Sequence, residues 1–128
     1  MKILIVGAGR IGSSVAESLV SEANDITVVD QDAERIGSLQ SSFALRGVVG
    51  NATSPQVLPD AGAADTDMLI AVTSSDETNL VVTMLCARIF NIPTRIARVR
   101  NNELRDYPAF WARKALKQRP SSGPSRRS

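Results

Sequence analysis

The sequence predicts an α/β protein, a doubly wound parallel sheet with helices on both faces and five clear strands. Three observations carry that expectation. Short apolar runs bounded by glycine or polar residues alternate with longer segments that bear a helical stripe. The first run, Ile3-Leu4-Ile5-Val6, is apolar without interruption, as a strand buried on both faces is. It passes directly into Gly7-Ala8-Gly9-Arg10-Ile11-Gly12, a glycine spacing that suits a tight turn from strand into helix.

The elements follow in order. After the strand at Lys2–Val6, residues 10–22 place Ile11, Val15, Ala16, Leu19 and Val20 on one helical face. Asp25–Asp30 holds Ile26, Thr27, Val28 and Val29, β-branched residues that favour a second strand. Asp32 can cap a helix running to about residue 43, with Glu34 in its first turn. Residues 46–50 form a short third strand. Ser54-Pro55 has the cap-then-proline order of a helix start, and Gly62 stands where that helix would stop. Residues 67–73, with Met68-Leu69-Ile70-Ala71-Val72, form the fourth strand. Ser75 or Asp76 opens a helix through about residue 90, Pro93 interrupts, and residues 95–99 form the fifth strand. Residues 103–117 are expected to hold one more helix with an uneven apolar face, and the Arg-, Pro- and Ser-rich stretch from Gln118 to be disordered. The chain thus divides into a domain over residues 1–105 and a short helix with a basic tail over 106–128.

Composition narrows the function. The 128 residues suit one domain, and 43% hydrophobic residues can build a core. No stretch approaches the roughly 20 apolar residues of a membrane span, and the first apolar run is too short for a signal peptide, so a cytoplasmic location is expected. The single cysteine, Cys86, excludes an internal disulfide framework and reads as mid-helix core. The absence of histidine excludes Ser-His-Asp and Cys-His catalysis and histidine-ligated metals. The net charge of +2 hides two unlike parts: residues 1–90 carry five basic and eleven acidic side chains, residues 91–128 ten and two. An acidic body with a solvated basic tail does not make a nucleic-acid site, and no nucleic-acid partner is expected.

The glycine segment carries the chemistry. Gly7 permits the turn, Gly9 leaves room for a pyrophosphate, and Gly12 lets the helix pack close to the strand; the helix start offers free N–H groups to phosphate. Asp30 ends the second strand 18 residues after Gly12, near the ~20-residue interval to a ribose-binding acid. Together they make a Rossmann-like fingerprint. A carboxylate there accepts from both ribose hydroxyls and repels a 2′-phosphate, and the next residue is Gln31 rather than arginine, so NADP should be rejected. Helix capping is the alternative role for Asp30. The fingerprint does not separate NAD or NADH from ATP or ADP, which share a ribose and a pyrophosphate. Other strand ends should border the same crevice. Asn51 can meet an adenine edge or simply serve its turn. Thr73 and Ser74 can donate to phosphate or ribose, or cap the next helix. Arg98 and Arg100 share one face of the fifth strand and can bind phosphate, while Arg95 lies on the other; a solvated edge strand is the plainer reading.

These residues resemble the RCK N-terminal, or KTN, family of nucleotide-binding domains from regulators of Trk-type potassium uptake. The likeness covers residues 1–105. Its more specific stretches are Ala71-Val72-Thr73-Ser74-Ser75-Asp76-Glu77-Thr78-Asn79 and Arg95-Ile96-Ala97-Arg98-Val99-Arg100. The resemblance implies a non-catalytic regulator that binds NAD, NADH or an adenine nucleotide and gates a membrane potassium-transport subunit from the inner face of the cell membrane. It also implies a homodimer or higher oligomer. Carried over by position, the contacts are Gly7, Ala8, Gly9, Arg10, Ile11, Asp30, Thr73, Ser74 and Arg98, with Gly12, Asn51 and Arg100 beside them. A family member continues into a sixth strand and an effector domain; here that strand is expected to be missing or replaced, as in a truncated or frame-shifted reading frame. The alternative is the dinucleotide-binding fragment of an NAD-dependent oxidoreductase.

Overall fold

The computed structural model of the chain describes residues 1–101. The helix expected over 103–117 and the tail beyond it lie outside the described residues. Five strands, β1 (Lys2–Val6), β2 (Asp25–Asp30), β3 (Arg46–Val49), β4 (Met68–Ala71) and β5 (Thr94–Ala97), pair in parallel in the order β3-β2-β1-β4-β5. Four α-helices, α1 (Arg10–Val20), α2 (Ala33–Ser42), the single turn α3 (Val57–Asp60) and α4 (Asp76–Arg88), connect them, with a 3-10 turn at Ala63–Asp65 between α3 and β4. The fold is the doubly wound, Rossmann-like sheet that the alternation predicts.

Two cores account for the uninterrupted apolar strands. Ile3, Ile5, Ile26, Val28 and Ile70 face one side of the sheet, against Ala16, Ile36 and Leu39 from α1 and α2. Leu4, Val6, Val29, Leu69 and Ala71 face the other, against Leu58, Val82 and Cys86 from α3 and α4. Strand side chains alternate between faces, so a strand covered on both must be apolar throughout.

Strand order also places the crevice. Beginning at β1, the chain winds to β3 at one edge, then returns to place β4 on the other side of β1. The connections after β1 and β4 therefore leave the sheet in opposite directions and part above it. In open α/β sheets that reversal is where ligands sit, beyond the carboxyl ends of the strands.

Several boundaries differ from expectation, each through a local hydrogen bond. Ser54 and Pro55 belong to a turn, in which the Val57 N–H donates to the Ser54 carbonyl (3.2 Å), and the helix starts only at Val57. It ends where expected, with Gly62 left-handed at φ +81°. Helix α1 stops at Val20, where the Glu22 N–H turns back to Leu19 (3.1 Å). Helix α4 stops at Arg88, and Asn91 adopts φ +54° so that the Ile92 N–H can reach the Cys86 carbonyl at 2.9 Å. Asparagine tolerates this conformation, which makes Asn91 the stop signal in place of a glycine. Strands β3 to β5 are four residues each, and each ladder closes on the next residue: the N–H groups of Gly50, Val72 and Arg98 donate to the carbonyls of Asp30, Val6 and Ala71, each at 2.9 Å.

Candidate functional site

Each glycine of the loop is required for a different reason. Gly7 sits at φ +115°, and a Cβ there would lie 3.0 Å from the backbone of Val72 and Thr73. Its N–H donates to the Val29 carbonyl at 2.8 Å, tying the loop to β2. A Cβ on Gly12 would lie 1.8 Å from the Gly7 carbonyl oxygen, so α1 can pack on the turn only if residue 12 has no side chain. Around Gly9 the space is open: a Cβ there would meet only the Arg35 Nη1, at 3.7 Å. Gly9 is also the N-cap of α1, with no side-chain cap, and the first turn carries no acid. The first N–H groups of a helix so begun are available to an anion.

Asp30 closes the other side of the loop. Its Oδ2 accepts from the Ala8 N–H and its Oδ1 from the Asp32 N–H, both at 2.7 Å. A carboxylate oxygen can accept twice, so each retains capacity for a ribose hydroxyl. The acid thus orients the glycine loop and keeps acceptor capacity on the pocket side.

The ends of β4 and β5 are joined by side chains. Asn79, fully buried on α4, accepts through Oδ1 from the Thr73 N–H (2.9 Å) and donates through Nδ2 to the carbonyls of Thr73 (3.1 Å) and Arg98 (2.8 Å). The Thr73 hydroxyl lies within hydrogen-bond distance of the Asn79 Oδ1 and the Ser75 backbone, which draws it into this network. Asp76 accepts from the N–H groups of Arg100 (3.0 Å) and Asn101 (2.8 Å). The Arg100 N–H bond does most to hold the Asp76 carboxyl below its ordinary range; loss of hydration opposes it, and the Asn101 N–H and the charges of Arg100 and Arg98 assist. The Arg100 guanidinium donates to the Ser74 carbonyl at 2.6 Å.

A pocket of about 680 Å³ lies among these parts. It is in the range that holds a small ligand or cofactor. Gly7, Gly9, Arg10 and Ile11 line it from the loop, Asp30 from β2, Asn51 from the end of β3, Thr73 and Ser74 from the end of β4, and Arg98 and Arg100 from beyond β5. Ala8 and Gly12 stand behind the wall, the first with its N–H directed to Asp30 and the second packed on the Gly7 carbonyl. Asn51 uses its Oδ1 for a turn, accepting from the Thr53 N–H (3.0 Å) and hydroxyl (2.8 Å). Two residues to which sequence reasoning gives no role take part: Arg35 lines the pocket from α2, and Asn79 holds two of its walls together. Among the described residues the lining carries four arginines (Arg10, Arg35, Arg98, Arg100) against the single carboxylate of Asp30, a balance suited to a polyanion with a diol.

Cys86 lies outside the pocket in the core, and burial pushes its thiol up to about 12, so it is not a nucleophile. Among the described residues no group of three or more Cys, Asp or Glu could hold a metal ion, and no helix is long and apolar enough to cross a membrane.

The TrkA-N domain model matches residues 3–108. Over 103 residues the chain is 54% identical to the Trk system potassium uptake protein TrkA of Haemophilus influenzae, covering 80% of this chain and 22% of that protein. Over 116 residues it is 47% identical to TrkA of Halomonas elongata, covering 91% of this chain and 24% of that protein. The chain therefore spans less than a quarter of either relative. Among solved structures, the TrkA-N domain of the Escherichia coli inner membrane protein ybaL superposes with a TM-score of 0.76 at 20% identity, covering 91% of this chain and 81% of that one. The Kef C-terminal domain of Shewanella denitrificans, in its AMP-bound form, superposes with a TM-score of 0.65 at 21% identity, covering 75% and 57%. At these identities the structures show a shared fold.

Proposed function

The chain belongs to the TrkA-N domain family, and from that premise we propose that it is the nucleotide-sensing part of a regulator of Trk-type potassium uptake. The observation that carries the proposal is the placement of Asp30 across from an open Gly9 in one arginine-lined pocket at the sheet's reversal point. Asp30 accepts from the ribose hydroxyls of NAD, NADH or an adenine nucleotide. The N–H groups at the start of α1 face the pyrophosphate over Gly9. Arg98 and Arg100 meet the remainder of the ligand, with Asn51 and Ser74 at the rim. The AMP bound by the Kef domain of the same fold supports an adenine nucleotide as ligand.

The role in this reading is regulatory, not catalytic: the lining's four arginines, and its one carboxylate, which already accepts two backbone N–H bonds, are groups that hold a nucleotide in place. Names of the relatives point to a potassium-uptake system, and the partner is then a membrane potassium-transport subunit approached from the cytoplasm. The domain works as a homodimer or higher oligomer, and nucleotide binding favours one of its arrangements. A ligand shifts such an equilibrium only by the difference in its affinity for the two states.

Calorimetry and melting with NADH, NAD, ADP and ATP test the reading. Ligand at about a hundred times its Kd stabilises a one-site protein by about 2.7 kcal/mol, readily seen as a rise in Tm. Asp30→Asn, which removes the charge and keeps one acceptor, should weaken every ligand that binds the wild type. If no nucleotide shifts the Tm at millimolar concentration, the site does not bind nucleotides.

A further inference from the structure

We propose that Arg35 is a phosphate clamp, a cation that reaches from α2 across the glycine loop to grip the ligand's pyrophosphate. The proposal rests on the nucleotide-binding reading above and adds a residue that the glycine fingerprint does not contain. Its Nη1 lies 3.7 Å from the point a Cβ on Gly9 would occupy. That point is the space which the missing side chain leaves for phosphate. A phosphate oxygen resting on Gly9 would therefore sit within hydrogen-bond reach of the guanidinium, opposite the N–H groups of α1.

The side chain is held in readiness. Asp32 caps α2 through Oδ1, accepting from the N–H groups of Glu34 (2.9 Å) and Arg35 (3.3 Å). Its other oxygen stands 3.6 Å from the Arg35 Nε. One carboxylate thus starts the helix and steers the arginine that leaves it. Pairing through Nε leaves the Nη groups to donate to phosphate, with Nη1 the one set against Gly9. The pair is largely exposed, with side chains 57% and 47% accessible, so it holds the arginine loosely and does not compete strongly with a doubly charged ligand. Asp30 and Arg35 then divide the recognition: the acid takes the ribose, and the arginine takes the pyrophosphate.

Affinities of adenosine, ADP and NADH, measured by calorimetry for wild type, Arg35→Gln and Arg35→Lys, test the clamp. Arg35→Gln should bind ADP and NADH at least about tenfold more weakly, as expected for a lost charge-assisted hydrogen bond, and adenosine within about twofold of wild type. Arg35→Lys should recover part of the loss. Equal affinity of wild type and Arg35→Gln for ADP and NADH would overturn the clamp while leaving nucleotide binding intact. A loss that is the same for adenosine as for ADP would also overturn it, since the effect would not be on phosphate. If the wild type binds neither ADP nor NADH, the underlying nucleotide reading fails and the clamp with it.

Discussion

The two corners of the pocket are built on opposite principles. At the β1–α1 corner the wall is backbone: Gly7, Gly9 and Gly12 matter because they lack side chains, and what they place is N–H groups and empty space. At the β4–α4–β5 corner the wall is side chain: Asn79, Thr73 and Asp76 tie three segments together through amide, hydroxyl and carboxylate. The first corner fails when an atom is added, the second when one is removed.

The largest effect should come from adding atoms at Gly12. Gly12→Val puts a Cβ 1.8 Å from a backbone oxygen, where no side chain can swing away. The turn or the helix must move, at a cost of about 3 kcal/mol or more, and urea denaturation should find the variant largely unfolded. A Gly12→Val protein of wild-type stability would show that α1 does not pack on the turn as described.

At the opposite corner the next effect comes from deletion. Asn79→Ala strands the Thr73 N–H and the Arg98 carbonyl in a site where Asn79 is wholly buried. Leaving such groups unsatisfied should cost about 2–3 kcal/mol in denaturant melts. The arginines beyond β5 also lose their anchor, so nucleotide affinity should fall together with stability.

Gly9 is the exception that sharpens the contrast. It shares a loop with Gly12, yet Gly9→Val adds its atoms to open space at an ordinary backbone angle, φ −75°. The variant should fold, losing about 1 kcal/mol as a poorer N-cap. Any rise in Tm with NADH or ATP should vanish. Retained ligand stabilisation in Gly9→Val would place the phosphates elsewhere.

The same difference decides what is legible in the sequence. A corner made of glycines advertises itself: glycine at positions 7, 9 and 12, directly after an apolar run, spells a strand turning tightly into a close-packed helix, and Asp30 follows at a known interval. The uninterrupted apolar strands likewise disclose the parallel sheet. Asn79 is hidden: a polar residue three positions inside a helix looks like a solvated face, and its burial depends on the distant carbonyl of Arg98. Arg35 is hidden by its ordinary setting, an exposed basic residue in the first turn of α2, since only the folded chain sets it against Gly9. The start of α3 departs from expectation because Ser54-Pro55 serves a turn as well as it serves a helix.

The smallest predicted effect separates the corners by pH. In the folded chain the Asp76 carboxyl lies below its ordinary value of 3.8, chiefly through the Arg100 N–H. A group whose pKa is lowered by folding stabilises the protein above its unfolded value, and that contribution is lost as pH falls through the lowered, folded value. Nothing should therefore change at this corner between neutral pH and about pH 5. In more acid solution the bonds from Arg100 and Asn101 to the carboxylate weaken together. Followed by NMR, the Arg100 and Asn101 amide protons should titrate together with a midpoint below 3.8. The same resonances in Asp76→Asn should lack that step. A midpoint at or above 3.8 in the wild type would mean that these N–H groups do not hold the carboxylate in its charged form.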